Sequence, residues 1–341
     1  MPATSALPDW RLAMAQAVRE PAELLAMLGL DCDDELLAAA RRAATLFPLR
    51  VPRGYLARMR PGDRDDPLLR QVLPVEAEFF NPAGFTADPV GDLPAMVSPG
   101  LLHKYQGRAL LVSTGACAIH CRYCFRREFP YTDANPKKDN WTEALQYLEK
   151  DTSIEELILS GGDPLTLSNS VLADLLERLA AIPHLRRLRI HSRLAIVLPE
   201  RIDAELVALL ARSRLQIIHV IHANHANEID DTVRAAVSRL RDGNTLVFNQ
   251  AVLLTGINDT VDAQIALTET LINAGIVPYY LHMPDAVRGA HHFDIDEPRA
   301  LALYADMQQR LPGYMLPRLV REIPGAPAKI SLPLIQTLES L

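Results

Sequence analysis

Three of the four cysteines fall in one short run, Cys117, Cys121 and Cys124 in GACAIHCRYC, with the spacing C-x3-C-x2-C. Cysteines this close cannot staple distant segments, so the spacing argues against a disulfide framework and for ligation of a metal. Three thiolates suit three irons of a cubane [4Fe-4S] cluster whose fourth iron stays open to a chelating small molecule. A structural zinc site would need four closed ligands. His120 is the fourth donor at hand, and no second C-x2-C stands elsewhere in the chain. Cys32 lies apart in a helical stretch and reads as a free thiol.

Other polar residues follow apolar runs. Strand character recurs at 108–114, 155–160, 185–191, 215–222, 245–253, 277–283 and 316–322, with amphipathic helical stretches such as WTEALQYLEK and VLADLLERLAAI between them. Such alternation, with a period of about 30 residues, predicts right-handed βαβ units and a parallel sheet. No G-x-G-x-x-G follows the first strand, so a partial or full β/α barrel is expected rather than a doubly wound sheet. Barrels carry their chemistry at the carboxyl ends of the strands. The cysteine run lies there, with Gly161-Gly162-Asp163-Pro164, His191-Ser192-Arg193, His222 with Asn224, Asn249-Gln250, His282 with Asp285, and Glu322. Each alone reads as a cap or a satisfied core group; together they read as a site.

Residues 9–46 show apolar groups at helical spacing, and 47–100 carry too many prolines for long elements. Residues 1–100 are therefore expected to be a helical and Pro-rich extension wrapping a core of 101–341. Of 341 residues, 49% are hydrophobic and 23% charged, the balance of a globular domain. The net charge of −7 offers no basic field for nucleic acid. No apolar run reaches the roughly 20 residues of a membrane span, and the N-terminus lacks a leader pattern, so a cytoplasmic location is expected.

At the cysteine run the sequence resembles the radical S-adenosylmethionine (SAM) superfamily. The resemblance implies that the cluster's open iron chelates SAM, that Tyr123 lines the adenine side, and that the backbone of GGDP (Gly161, Gly162, Asp163) meets the SAM amino group. Six blocks in order narrow it: HKYQGRALLVSTGACAIHCRYCFRR, LILSGGDPL, RIHSRLAIVLPERI, NHANEID, NQAVLLTGINDT and a late lysine after PG are similar to the lysine 2,3-aminomutase family from about residue 60 to 332. That family also uses pyridoxal 5'-phosphate (PLP), whose anchoring lysine maps onto Lys329 in EIPGAPAKISLP. Phosphate contacts map onto Tyr105, Arg108 and Lys104, where the family has an arginine, and His222 and Gln250 map onto the SAM and PLP region. Arg126 matches the arginine that pairs with the substrate carboxylate. Asp285 matches one of two aspartates that grip a distal ammonium; the other position is Glu322, one methylene longer.

The implied reaction takes hydrogen from Cβ of L-lysine with an adenosyl radical and moves the amino group from Cα to Cβ, with an external electron donor reducing the cluster. No cysteine follows Cys124, and the sequence ends twelve residues after Lys329, unlike members with a zinc-binding C-terminal extension. It resembles instead the short members that supply (R)-β-lysine to a ligase modifying elongation factor P. A homo-oligomer stays open, as do two other readings: a 2,3-aminomutase for another amino acid, and a non-turnover iron-sulfur protein for binding or electron transfer.

Overall fold

Seven apolar segments pair side by side in the order in which they occur, because each intervening helix returns the chain to the same edge of the growing sheet. The computed structural model describes residues 9–134 and 141–332. Its ten-stranded sheet runs in sequence order: β1 (Met96–Ser98), β2 (Leu101–Tyr105), β3 (Arg108–Thr114), β4 (Glu156–Gly161), β5 (Arg187–His191), β6 (Gln216–Ile221), β7 (Leu246–Val252), β8 (Val277–His282), β9 (Arg318–Arg321) and β10 (Ile330–Ser331). Strands β3 to β9 are parallel, and they lie where the apolar runs predict them to within a residue or two. A sheet whose order never reverses is wound as a barrel. Among the described residues β1 and β10 do not pair, so the barrel is partial and the closed alternative is not formed. Both edges carry short antiparallel strands, β1 and β2 beside β3 and β10 beside β9, which sequence periodicity does not anticipate.

Strand β5 shows how one pattern serves two surfaces. Leu188 and Ile190 are buried against the helical layer, while Arg189 and His191 alternate with them toward the barrel interior and line its cavity. Period-2 alternation therefore marks an apolar face against helices and a polar face around a site. Helices Asn169–Ala181, Ala204–Ala211, Asp231–Asp242, Val261–Asn273 and Glu297–Arg310 cover the outside. Each starts with a side chain, Ser168, Asp203, Asp230, Thr260 or Asp296, accepting from a first-turn N–H. These caps satisfy donors that a helix start leaves orphaned.

The first hundred residues do not sit apart from this layer: Trp10, Leu24 and Tyr55 belong to the same apolar cluster as Leu157 and Leu188 of the barrel. Their polar contacts converge on the loop after β3. Glu78, fully buried, accepts from Arg122 Nε (2.8 Å) and Nη2 (2.5 Å) and from Arg127 Nη2 (2.7 Å). Arg122 Nη1 donates to Phe47 O (2.7 Å), Arg122 N to Gln71 O (2.9 Å), and His120 N to Arg50 O (3.0 Å). The residues between the cysteines are thus held from the N-terminal side by one carboxylate and three bonds to backbone carbonyls. Removing the carboxylate would strand two buried guanidinium groups. Glu78→Ala is expected to lower the unfolding free energy by about 3–5 kcal/mol, measured by urea denaturation; a loss under about 1 kcal/mol would show that the loop is held by packing alone.

Candidate active site

The loop after β3 sets the three thiols at one end of the barrel. Cys117, Cys121 and Cys124 all line a cavity of about 520 Å³. Burial pushes the Cys117 thiol up, and Cys124, Asp163 and Cys121 push it further; burial and Cys121 raise Cys124 to about 11. Free thiolates are disfavoured there, and a cationic partner reverses that balance. Among the described residues no three such ligands stand as a ready-made metal shell. One partner is already present: Arg193 Nη1 donates to Cys121 Sγ (2.7 Å), while its Nη2 donates to Glu228 Oε2 (2.7 Å), Gln71 Oε1 (2.8 Å) and Tyr55 Oη (3.2 Å). Glu228 accepts in addition from Asn224 N (2.8 Å) and His225 N (3.1 Å). Tyr123, which lines the same cavity, has its ring under Arg193 (5.7 Å) and edge-on to Phe293 (6.2 Å).

Beside the cysteines, the end of β4 comes very close to the end of β3. A Cβ on Gly161 would meet Thr114 O at 2.4 Å, and one on Gly162 would meet Ala116 O at 2.4 Å. Gly161 also has φ 126°, open to glycine alone. Gly162 N and Asp163 N donate to Thr114 O and Ala116 O (both 2.7 Å), so the glycines serve first to seat the cysteine loop. Asp163 Oδ1 accepts from Leu165 N (3.0 Å) and Ser192 Oγ (2.7 Å), and Oδ2 from Arg193 N (2.8 Å). Burial raises this carboxyl to about 6 against those donors. Its role is to tie the ends of β4 and β5 together and aim Arg193.

From beside Cys124, another stretch of the wall is built from alternating charges. Arg126 Nε donates to Asp92 Oδ2 (2.7 Å) and Nη1 to Ser160 Oγ (2.9 Å). Asp92 Oδ1 receives Lys104 Nζ (2.6 Å), which also donates to Val90 O (2.8 Å) and Glu322 Oε1 (3.0 Å). Glu322 Oε2 in turn receives Lys329 Nζ. Burial alone would raise Glu322, but Lys329 and Lys104 outweigh it and bring it down to about 2. Asp285, without a cation at ion-pairing distance among the described residues, is raised to about 7 by burial and then by Glu322, against the pull of Lys329 and Lys104. Tyr105 faces Glu322, its hydroxyl pushed up by burial and that carboxylate, and Arg108 stacks on its ring at 4.6 Å.

His222 and Gln250 line the cavity too, whereas Pro164, Asn224 and Asn249 do not: Asn249 is bonded to Ala223 and Asn224 accepts from Val252 N. Burial, with Arg193 next, lowers His222 to about 4, and burial lowers His191 and His282 as well, leaving neutral imidazoles on the inner wall. Three partners were not legible beforehand: Asp92, which lies in an aperiodic Pro-rich stretch; Arg193 as a thiol partner; and Glu228, which needs the tertiary fold to meet Arg193. Arg189, Tyr280 and Arg318 also face the cavity, and only the polar alternation of β5 hinted at the first of these.

A parallel partial barrel with three thiols on its first loop and a glycine-clamped second strand defines a class of protein, and residues 111–260 match the Radical SAM superfamily. Over 326 residues the chain is 47% identical to L-lysine 2,3-aminomutase from Escherichia coli (strain K12), covering 96% of this chain and 95% of that protein. It is 45% identical to the Haemophilus influenzae protein of the same name, with 94% of each chain covered. The Clostridium subterminale L-lysine 2,3-aminomutase is 30% identical, over 94% of this chain and 77% of that one. The chain belongs to the lysine 2,3-aminomutase family and is an isomerase of that type. Among the described residues no helix is long and apolar enough to cross a membrane.

Asp163→Asn would turn an acceptor into a donor opposite one of its partners. The variant is expected to lose about 1–3 kcal/mol of stability in chemical denaturation, and an unchanged midpoint would mean that the ends of β4 and β5 hold together without it.

Proposed function

We propose that the chain is a lysine 2,3-aminomutase carrying a [4Fe-4S] cluster, SAM and PLP, and that it converts L-lysine to (R)-β-lysine for attachment to elongation factor P by a separate ligase. The observation that carries this reading is the composition of the cavity. Three thiols, a lysine, a guanidinium and two carboxylates line one cavity, in a chain of this family. When bound, the reduced cluster with SAM supplies a carbon radical able to take hydrogen from Cβ, and PLP supplies a conjugated carrier for the migrating nitrogen.

The residues fit those groups. Cys117, Cys121 and Cys124 would ligate the cluster: burial and neighbouring negative charge disfavour the thiolates of Cys117 and Cys124, which a cationic metal would favour, and Arg193 donates to Cys121 Sγ. Lys329 would anchor PLP, and Arg108, which meets no carboxylate at ion-pairing distance among the described residues, suits its phosphate together with Tyr105. Lys104 is held by Asp92 and Glu322, so its support of a phosphate is that of a nearby charge. His222, Gln250, Tyr123 and the Gly161-Gly162 backbone line the side toward the cysteines, suited to SAM.

For substrate, Arg126 keeps Nη2 for a carboxylate after Asp92 and Ser160 take its other nitrogens, and a charge-assisted bond there orients the amino acid. Asp285 and Glu322 receive a distal ammonium, which disfavours an acidic substrate. Neutral imidazoles and aromatic rings form part of the inner wall, so the protein's contribution is positioning and protection. Glu322 in the place of the family's second aspartate supports the elongation factor P role, as it does in the short members that the sequence resembles. An external electron donor would reduce the cluster, and homo-oligomer formation is compatible with this reading.

Anaerobic incubation of reconstituted protein with SAM, PLP, reductant and labelled L-lysine is expected to give β-lysine on chiral chromatography, and none after Cys121→Ala; a fully loaded protein without product would overturn the assignment. With burial and Glu322 raising its carboxyl to about 7, Asp285 is expected to gain its charge as pH rises through that range. Lysine affinity is therefore expected to rise as pH rises through 7, with the KM for lysine falling several-fold between roughly pH 6 and 8. In Asp285→Asn that fall should vanish; its persistence would assign the titration elsewhere.

A further inference from the structure

We infer that Glu322 serves two ammonium groups in turn, holding Lys329 in the cofactor-free chain and receiving the substrate's distal ammonium once Lys329 has been taken up by PLP. The inference rests on the reading of Lys329 as the PLP anchor and goes beyond it, because it makes the substrate subsite a product of cofactor capture.

The group now seated on Glu322 Oε2 is a lysine side-chain ammonium, chemically the group that the distal end of the substrate would present. Oε1 is taken by Lys104, which has two further acceptors in Asp92 Oδ1 and Val90 O and is thereby fixed. Lys329 has no second carboxylate at ion-pairing distance among the described residues, so it is the cation free to leave. The pair is 14% and 23% exposed, dry enough for a charge left without a partner to be unfavourable and wet enough for exchange. Asp285 stands on the same wall without a cation of its own, so an ammonium replacing that of Lys329 would meet two carboxylates.

An ammonium is no nucleophile. In capture, Lys329 Nζ gives one proton to solvent and forms a double bond to the aldehyde carbon of PLP; the carbonyl oxygen leaves as water with the two hydrogens remaining on the nitrogen. That removes one of the two positive charges on Glu322, leaving Oε2 open beside Asp285 while Lys104 keeps Oε1, a place suited to a new cation. Glu322 thus opposes capture of the cofactor and, after capture, selects a cationic substrate.

The test follows the visible band of lysine-bound PLP and needs no turnover. PLP is mixed with the cofactor-free full chain in stopped flow for wild type, Glu322→Gln, Glu322→Asp and Lys329→Ala, and Lys329 labelling by acetic anhydride is read in parallel by mass spectrometry. Glu322→Gln is expected to capture PLP, and to be acetylated at Lys329, about tenfold faster, with Glu322→Asp between it and wild type. When loaded, Glu322→Gln should lose about tenfold or more of the preference for L-lysine over L-norleucine in shifting the band. Equal or slower capture and labelling in Glu322→Gln, with a band that still requires Lys329, would overturn the hand-over and leave the anchor in place. A band that persists in Lys329→Ala would overturn the anchor itself. Should Glu322→Gln not fold, Glu322→Asp and the acetylation series decide the same question.

Discussion

The chain of alternating charges Arg126, Asp92, Lys104, Glu322 and Lys329 is the constraint around which the cavity wall is arranged. Buried charges are tolerated only when neighbours of opposite sign and good hydrogen bonds offset their lost hydration. Here each internal member has a partner on both sides, and only the ends are open: a guanidinium at one end and a primary amine at the other. These ends are the two groups that a bound amino acid and its carrier would address. Asp92 therefore matters more than its place in an aperiodic loop suggests, since it fixes Arg126 and Lys104 relative to each other.

At the cysteine end the logic is different. The loop there is short of regular structure, and its geometry comes from outside: Glu78 and the backbone of residues 47–71 hold its basic residues, Gly161 and Gly162 admit its first turn, and Arg193 reaches Cys121 from the end of β5. Three elements distant in sequence must be in place before three thiols can face one ligand. The N-terminal residues are thus part of how the thiols are presented, joined to the barrel by a common apolar cluster as well as by these polar clamps.

Much of this was legible in the sequence, for reasons that also explain what was not. The βα alternation is a local pattern, so the seven parallel strands could be read to within a residue or two, and the cysteine spacing is a local pattern as well. Glycines at 161 and 162 could be read as a backbone need, although the structure assigns that need first to the approach of Thr114 and Ala116 rather than to a ligand. Asp92, Glu78 and Glu228 gave no advance sign. In sequence a buried carboxylate looks like a solvated one; Glu76, exposed, and Glu78, fully buried, stand two positions apart in the same turn. Strands β1, β2 and β10 are two to five residues long, too short to establish a period.

The unpaired edges of the sheet bear on the width of the barrel. Where a closed barrel has its diameter fixed by a full ring of backbone hydrogen bonds, here side chains link the two ends of the sheet: Lys104 and Tyr105 of β2 reach Glu322 after β9, and Pro324 abuts Gly91. The breadth of the chamber is then set by side-chain reach at this seam rather than by strand number. Glu322 acts there as a strut, and the length of one side chain becomes a dimension of the enclosure.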